Sequence, residues 1–305
     1  MTTFSIWLAA FRLRTLPLAL SSVFMGSFLA VASGVFSWSI IALSVVTTLL
    51  LQILSNLAND YGDGMKGTDN NMRLGPQRAI QSGSISPKEM KLAIVIFTLL
   101  SLVTGIWLII ESFGSDWYLG LLFLVLGLSA IAAAIKYTVG SKAYGYSGLG
   151  DLFVFLFFGL LAVLGTYFLN TLTLDWLVLL PAISMGFLST GVLNLNNMRD
   201  IENDLKSGKN TLASSMGLGN AKKYHLFLVV GAMIAAIAYS VLNYSSLWNF
   251  LYVISFPLFI YQLFRIIKIK EEKLLDPFLK QLALTTLLFT ILFGVSLILV
   301  IDIKF

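Results

Sequence analysis

The chain has 305 residues, 58% of them hydrophobic and only 11% charged, with a formal net charge of +5. Soluble domains are about 45–50% apolar, so this composition places the chain in a membrane and excludes a soluble, nucleic-acid-binding domain. The absence of cysteine excludes disulfides, thiolate nucleophiles, iron–sulfur clusters and thiolate zinc sites. A single histidine, His225, excludes a multi-histidine metal centre.

A spanning helix needs roughly 20 apolar residues to cross about 30 Å of hydrocarbon. Such runs fall near 16–33, 36–57, 92–110, 117–135, 152–170, 175–195, 226–243, 247–264 and 282–301. The expected fold is therefore all-α, a polytopic membrane bundle of about nine helices, with residues 1–305 forming one membrane-embedded domain. Barrel strands would be shorter and would alternate polar with apolar residues, so a barrel is excluded. Before the first run, Phe4, Trp7, Leu8 and Phe11 recur at helical spacing and predict a short interfacial helix. Arg12 and Arg14 followed by an apolar run and Ala30-Val31-Ala32 mimic a signal peptide. The run is long enough to span and is read as a retained first helix.

With nine spans, one side of the membrane receives Arg12, Arg14 and the segments 58–91, 136–151, 196–225 and 265–280. These hold every lysine and arginine except Lys304. The other side receives short links carrying Glu111, Asp116, Asp175 and the tail 302–305. By the positive-inside rule the N-terminus and the long loops are cytoplasmic, and any chemistry is built on that face.

Two acidic stretches interrupt this apolar chain, Gln52–Asp69 (QILSNLANDYGDGMKGTD) and Asn194–Asp204 (NLNNMRDIEND), each at the exit of an apolar run. Asn56, Asp60 and Asp63 are spaced i, i+4, i+7; Asn196, Asp200 and Asp204 are spaced i, i+4, i+8. A helix puts each set on one face. Gly62, Gly64 and Gly67 then loosen the chain, and Asp69 rides on a mobile loop. The recurrence of Asn56 and Asp60 as Asn196 and Asp200 is a weak internal echo that points to a site between two halves.

Carboxylates about 4 Å apart repel by roughly 4 kcal/mol at an effective dielectric near 20, unless protonated, solvated apart or bridged by a cation. One acidic cluster beside a membrane reads as a solvated loop. Two with matched spacing read as a site. Oxygen ligands without histidine or cysteine select magnesium, calcium or manganese, and magnesium takes one or two carboxylates plus phosphate oxygens. Two facing carboxylate sets therefore suit a metal-bridged diphosphate. Lys66, Arg73, Arg78, Arg199 and Lys209 complete an anion site, and Gly75-Pro76 sets a turn between the guanidinium groups of Arg73 and Arg78. Lys206, Lys222 and Lys223 read as membrane-surface anchors.

The runs NDYGDGMKGTD, RLGPQRAIQSG and NNMRDIENDLKSGKNTL, with RLRTLPLAL near the start and YGYSGLGDLFVFLFFG in the centre, resemble the signature segments of the UbiA superfamily of intramembrane prenyltransferases. Matching segments run from Arg12 to about Gly217. The wider separation of Asp63 from Asp69 favours the branch whose acceptor is 1,4-dihydroxy-2-naphthoate over the 4-hydroxybenzoate branch.

The resemblance implies a UbiA-like bundle in a bacterial cytoplasmic (inner) membrane. Its substrates would be an all-trans polyprenyl diphosphate and the naphthoate, with two Mg2+ ions bridging the diphosphate. Asp60 and Asp63 would bind one ion, Asp200 and Asp204 the other. Asn56, Asn59, Asn196 and Asn197 would hydrogen-bond ligands, and Lys66, Arg73, Arg78, Arg199 and Lys209 would hold diphosphate. Lys136, Tyr137, Lys142, Tyr144 and Asp151 would meet the diphosphate and the aromatic acceptor. Asp69 belongs to this substrate-binding set through its loop.

Asp151 keeps two readings, a base toward the acceptor or an N-terminal carboxylate capping the fifth span. The competing functions are a relative using 4-hydroxybenzoate, homogentisate or haem B, a CDP-alcohol phosphotransferase, whose aspartate run is absent, and a cation-coupled transporter, whose carboxylates would sit at mid-membrane.

Overall fold

The first span already shows how the chain builds its site, because it is two helices rather than one. In the computed structural model, which describes residues 3–70 and 73–302, α1 (Thr3–Phe11) and α2 (Leu16–Ala32) meet at Arg12. Arg12 takes a left-handed conformation, φ 53°, ψ 57°. Second, third and fourth spans are α3 (Trp38–Lys66), α4 (Pro87–Phe113) and α5 (Trp117–Lys136). The fifth joins α6 (Gly150–Val154) to α7 (Ala162–Thr171) through a π-helical turn, Phe155–Leu161. Then come α8 (Leu179–Arg199), the short α9 (Ile201–Lys206), α10 (Leu212–Leu242), a 3-10 segment Leu247–Ser255 leading into α11 (Phe256–Lys268), and α12 (Asp276–Asp302). Among the described residues nine helices are long and apolar enough to cross a membrane, as the hydrophobic runs predict. Of the expected outward tail, residues 303–305, with Lys304, lie outside the described residues.

The start of the seventh span differs from expectation. It begins at Leu212, not near 226, because Thr211 and Ser214 form a reciprocal capping box and Gly217, at φ 72°, bends the polar first turns onto the bundle. At the opposite end the acidic links act as caps. Asp116 accepts from the Leu119 N–H at 3.1 Å and Asp175 from the Leu177 N–H at 2.9 Å.

The main core lies between α2, α7, α8, α10 and α12, where Met25, Met185, Tyr252, Phe259 and Phe289 are fully buried. Without a hydrophobic drive between helices in lipid, close approach depends on small residues. A Cβ on Gly159, in the π turn, would lie 2.5 Å from the Gly186 Cα of α8, so both must be glycine. The other half is looser: α3 and α4 pack on each other, while α5 contributes no buried residue. This asymmetry leaves a cavity of about 360 Å3 between α3, α4, α5 and α7.

Candidate active site

α3 continues beyond its apolar run to Lys66, and Gly67, at φ 72°, is its left-handed cap. Asn56, Asp60 and Asp63 thereby share a face as expected. Gly62 and Gly64 do not loosen the chain. They are helical, and a Cβ would lie 2.7 Å from the Thr138 carbonyl carbon at Gly62 and 2.5 Å from Ile80 Cγ2 at Gly64. Their smallness lets the 138 and 80 loops close on the helix. In the second stretch the expected continuous helix breaks at Asp200 (φ −104°, ψ 13°), and α9 restarts at Ile201.

The two stretches face each other. Asn203 donates its side-chain amide to the Thr68 carbonyl at 2.9 Å, and Lys209 Nζ lies 3.6 Å from Asp63 Oδ2. Between them stands Tyr146, whose hydroxyl donates to Asp63 Oδ1 at 2.8 Å and sits 2.6 Å from Thr68 Oγ1. Lys66 Nζ lies 3.9 Å from the centre of the Tyr146 ring, a cation–π contact. Tyr146 escaped the sequence reading, although it sits two residues past Tyr144 in the same run. Tyr144 points elsewhere: it donates to the Ala133 carbonyl at 2.8 Å and stacks on Phe153.

The loop after α3 is anchored. Asp69, expected on a mobile segment, is buried, 2.7 Å from Arg73 Nε and 3.8 Å from Arg78 Nε. Arg73 also donates to the Pro76 carbonyl at 2.6 Å, which closes the predicted turn. Gly75 packs between two guanidinium groups, where a Cβ would meet Arg199 Nη2 at 2.7 Å and Arg73 Nη1 at 2.8 Å.

Several expected ligand groups are engaged inside the protein. Asn56 donates to the Phe11 carbonyl and Thr15 Oγ1, each at 3.0 Å, and so fixes the α1–α2 joint. Asp60 accepts from the backbone N–H groups of Ala79 and Ile80 at 3.1 and 3.3 Å. Arg199, fully buried, donates to Asp200, to Asp276 of α12 and to Asn196 Oδ1, so it ties two helices together and offers nothing to an anion. The internal echo thus ends in different uses, because Asp60 holds a loop while Asp200 holds an arginine.

Asp151 lines neither cavity; it meets its own backbone N–H and the Tyr224 hydroxyl, while its Oδ1 is buried without a hydrogen-bond partner. Asn197 is buried and lines neither cavity; Lys136 and Lys142 are exposed and do not reach the site.

What converges instead is a smaller cavity of about 170 Å3, lined by Arg12, Arg14, Asn59, Asp63, Arg78, Tyr137, Asn196, Lys209 and, from the last span, Lys280. Arg12 Nε and Nη2 are buried there without hydrogen-bond partners, while Arg78 Nε, also without a hydrogen bond, has the Asp69 carboxylate 3.8 Å away. Buried donors of this kind call for an acceptor. Gln52, Asn59, Tyr137 and Leu193 line both cavities, so the cationic chamber adjoins the apolar one. Arg12 and Arg14 read in the sequence as topology signals, and Lys280 as loop charge. Only the fold brings them together.

Electrostatics follow this crowding. Burial, with the charges of Asp200 and Asp63 adding and Lys209 opposing, pushes Asp204 up to about 7. Burial also raises Asp69 despite its arginines. Arg78 is held well below the usual arginine range by burial and by Arg12 and Arg73. Burial works against the Lys209 ammonium, but Asp63 and Asp204 outweigh it and hold its pKa above the usual lysine value.

Among the described residues no three carboxylates or histidines gather into a closed metal cage. The donor set nevertheless fits magnesium, which needs only one or two carboxylates beside phosphate oxygens. Asp63 and Asp204 are oxygen donors that both interact with the Lys209 charge, and a divalent cation would offset the burial and the like charge that raise Asp204.

The profile of the UbiA prenyltransferase family matches residues 19–287. The chain belongs to that family. It is 43% identical over 297 residues to a 1,4-dihydroxy-2-naphthoate octaprenyltransferase of Haemophilus influenzae, covering 96% of each chain. It is 40% identical to the protein of the same description in Escherichia coli K12, over 96% of this chain and 95% of that one. Among solved UbiA structures, the fold is similar to a homologue from Aeropyrum pernix K1, with TM-score 0.68 at 15% identity over 96% and 99% of the two chains. A homologue from Archaeoglobus fulgidus bound to GPP and Mg2+ superposes with TM-score 0.57 at 18% identity over 92% and 98%. The UbiA match ends at residue 287, so α12, with Lys280 and Asp276, lies partly inside it.

Proposed function

We propose that this protein transfers an all-trans polyprenyl group from its diphosphate to 1,4-dihydroxy-2-naphthoate, releasing CO2 and diphosphate and giving demethylmenaquinol for menaquinone synthesis. The observation that carries this reading is identity of 40–43% over nearly the whole chain to two naphthoate octaprenyltransferases. A cationic chamber beside an apolar one fits a ligand with a polyanionic head and a hydrocarbon tail.

The unpartnered N–H groups of Arg12, with Arg78 and Lys209, take the diphosphate. Magnesium, when bound, supplies positive charge to the diphosphate oxygens. Asp63 and Asp204 would hold it, since Asp60 and Asp200 already engage the Ala79–Ile80 N–H groups and Arg199. Tyr146 orients Asp63, and the Asp69–Arg73–Arg78 loop keeps the guanidinium of Arg78 over the chamber. As the allylic C–O bond breaks, its electron pair goes to diphosphate, where these fixed cations meet the growing charge. The allylic carbon bonds to the ring carbon bearing the carboxylate. The carboxylate leaves as CO2 and its C–C pair returns to the ring, so electrons and charge balance. The apolar chamber excludes water from the cation. The site would face the cytoplasm of a bacterial inner membrane.

The test is an acceptor panel. Membranes containing the protein, given Mg2+ and a polyprenyl diphosphate, should prenylate 1,4-dihydroxy-2-naphthoate with CO2 release, and chelation should stop it. Turnover of 4-hydroxybenzoate or homogentisate in its place would overturn the acceptor.

A further inference from the structure

Gln52 stands on α3 about two turns before Asp60. It lines both cavities, so it lies where the cationic chamber adjoins the apolar one. It is only 9% exposed, and its neighbours fix which way its amide faces. Thr15 has one hydroxyl proton and donates it to the Arg12 carbonyl at 2.9 Å. Its oxygen therefore accepts, from Asn56 Nδ2 at 3.0 Å and from Gln52 Nε2 at 3.2 Å. Asn56 spends its N–H groups on Thr15 and the Phe11 carbonyl, which turns its Oδ1 toward Gln52 Nε2, 3.5 Å away. The nitrogen of Gln52 is thus committed to the α1–α2 joint, and the oxygen is left for a ligand. Gln52 Oε1 is buried and has no hydrogen-bond partner. Such an acceptor calls for a donor.

Only one of the two substrates brings a donor. Diphosphate oxygens accept and the prenyl chain is hydrocarbon, whereas 1,4-dihydroxy-2-naphthoate carries two O–H groups. Its 1-hydroxyl lies beside the carboxylate and bonds to it internally, a charge-assisted contact, so the 4-hydroxyl is the one free to donate. We propose that Gln52 Oε1 accepts a hydrogen bond from this 4-hydroxyl and so selects and places the aromatic acceptor. The bond sets the ring at the junction of the chambers, where the reacting carbon of the donor lies between its anionic head and its apolar tail. The ring carbon to be alkylated is next to the 1-hydroxyl, so the 4-hydroxyl contact positions the ring and leaves its activation to the other oxygen. The inference rests on the prenyl transfer proposed above.

The test pairs the residue with the hydroxyl. Wild type, Gln52→Met and Gln52→Asn are assayed with Mg2+ and a polyprenyl diphosphate. The acceptors are 1,4-dihydroxy-2-naphthoate and 1-hydroxy-2-naphthoate, the second used as substrate or as competitive inhibitor. Wild type should bind the analogue about tenfold more weakly, because the Gln52 oxygen is then left without a donor. In Gln52→Met, KM for the dihydroxynaphthoate should rise about tenfold with kcat changed less, and the two acceptors should become nearly equal. KM for the prenyl diphosphate should stay at its wild-type value, which certifies an intact chamber. If Gln52→Met does not fold, Gln52→Asn decides on the same ratio, since it keeps an amide but draws the oxygen back by one carbon. Equal binding of both acceptors by wild type overturns the contact. So does an unchanged ratio in a folded variant, which assigns Oε1 to donors within the protein. Loss of affinity for the prenyl donor as well makes Gln52 a structural residue of the α1–α2 joint and also overturns the proposal. A wild type inactive on every acceptor overturns prenyl transfer, and this inference with it.

Discussion

Tyr146 is a single side chain that holds the first acidic stretch in place. Its hydroxyl joins Thr68 to Asp63, and its ring lies under Lys66. Hydrogen bonds to charged groups are worth roughly 1.5–3 kcal/mol, so Tyr146→Phe should lower kcat/KM by about 10- to 150-fold in a prenyl-transfer assay while the ring still packs. Arg12 separates function from stability more sharply. At φ 53° a residue with a Cβ is strained by about 1–2 kcal/mol, and glycine is not. Arg12→Gly should therefore keep or raise the melting temperature in detergent while activity falls at least about tenfold, because the unpartnered guanidinium is lost. A fall in both together would assign Arg12 a structural role.

Asp204 adds a dependence on pH. Its folded pKa, raised to about 7, lies above the ordinary carboxyl value, so the folded protein holds this proton more tightly than the unfolded chain. Its contribution to stability is present at low pH and is lost as pH rises toward 7. Magnesium binding must displace the proton. The thermal shift produced by Mg2+ should thus grow between pH 6 and pH 8, and Asp204→Asn should abolish that growth. An equal shift at both pH values would remove Asp204 from the metal site.

Elements carry the parts of the fold that a sequence shows and those it hides. Nine spans were legible because each apolar run is about the length a bilayer requires, and the facing of Asn56, Asp60 and Asp63 because α3 keeps its period. The start of α10 was not legible, since its first turns are polar and are held by Thr211, Ser214 and the bend at Gly217. Nor was the break at Asp200. It follows from Arg199, which draws the Asp200 carboxylate to itself and reaches Asp276, 77 residues on. Local pattern contains no trace of a partner so distant. The same holds for Asp60, which spends its acceptors on Ala79 and Ile80. The aspartates were found by their rarity in an apolar chain, whereas their partners were set by tertiary closure. The Arg199 junction joins α8 to α12. Removing one partner of a buried pair leaves the other uncompensated, at a cost of about 3–5 kcal/mol. Arg199→Met should therefore lower the melting temperature far more than Asp276→Asn, whose carboxylate is partly exposed. Equal effects would mean that the junction is not what holds these helices.

At the scale of the molecule, every charge that lines the cationic chamber comes from the loop-rich end of the bundle. The opposite end carries Glu111, bonded to Ser39 at 2.6 Å, and the capping Asp116 and Asp175. This polarity gathers arginines and lysines from α1–α2, from the loop after α3, from the segment before α10 and from α12 around one anion. The positive-inside rule predicts from the same residues that this end faces the cytoplasm. Topology and diphosphate binding would then draw on the same residues. The prediction is direct, because the native chain contains no cysteine to confuse a label. Single cysteines placed at Ser82, on the loop before α4, and at Ser115, in the link before α5, are both in exposed positions. In intact cells an impermeant maleimide should label the cysteine at 115 and spare that at 82. Inverted membrane vesicles should reverse the pattern. Labelling of position 82 from outside would place the cationic chamber on the wrong face for a cytoplasmic diphosphate.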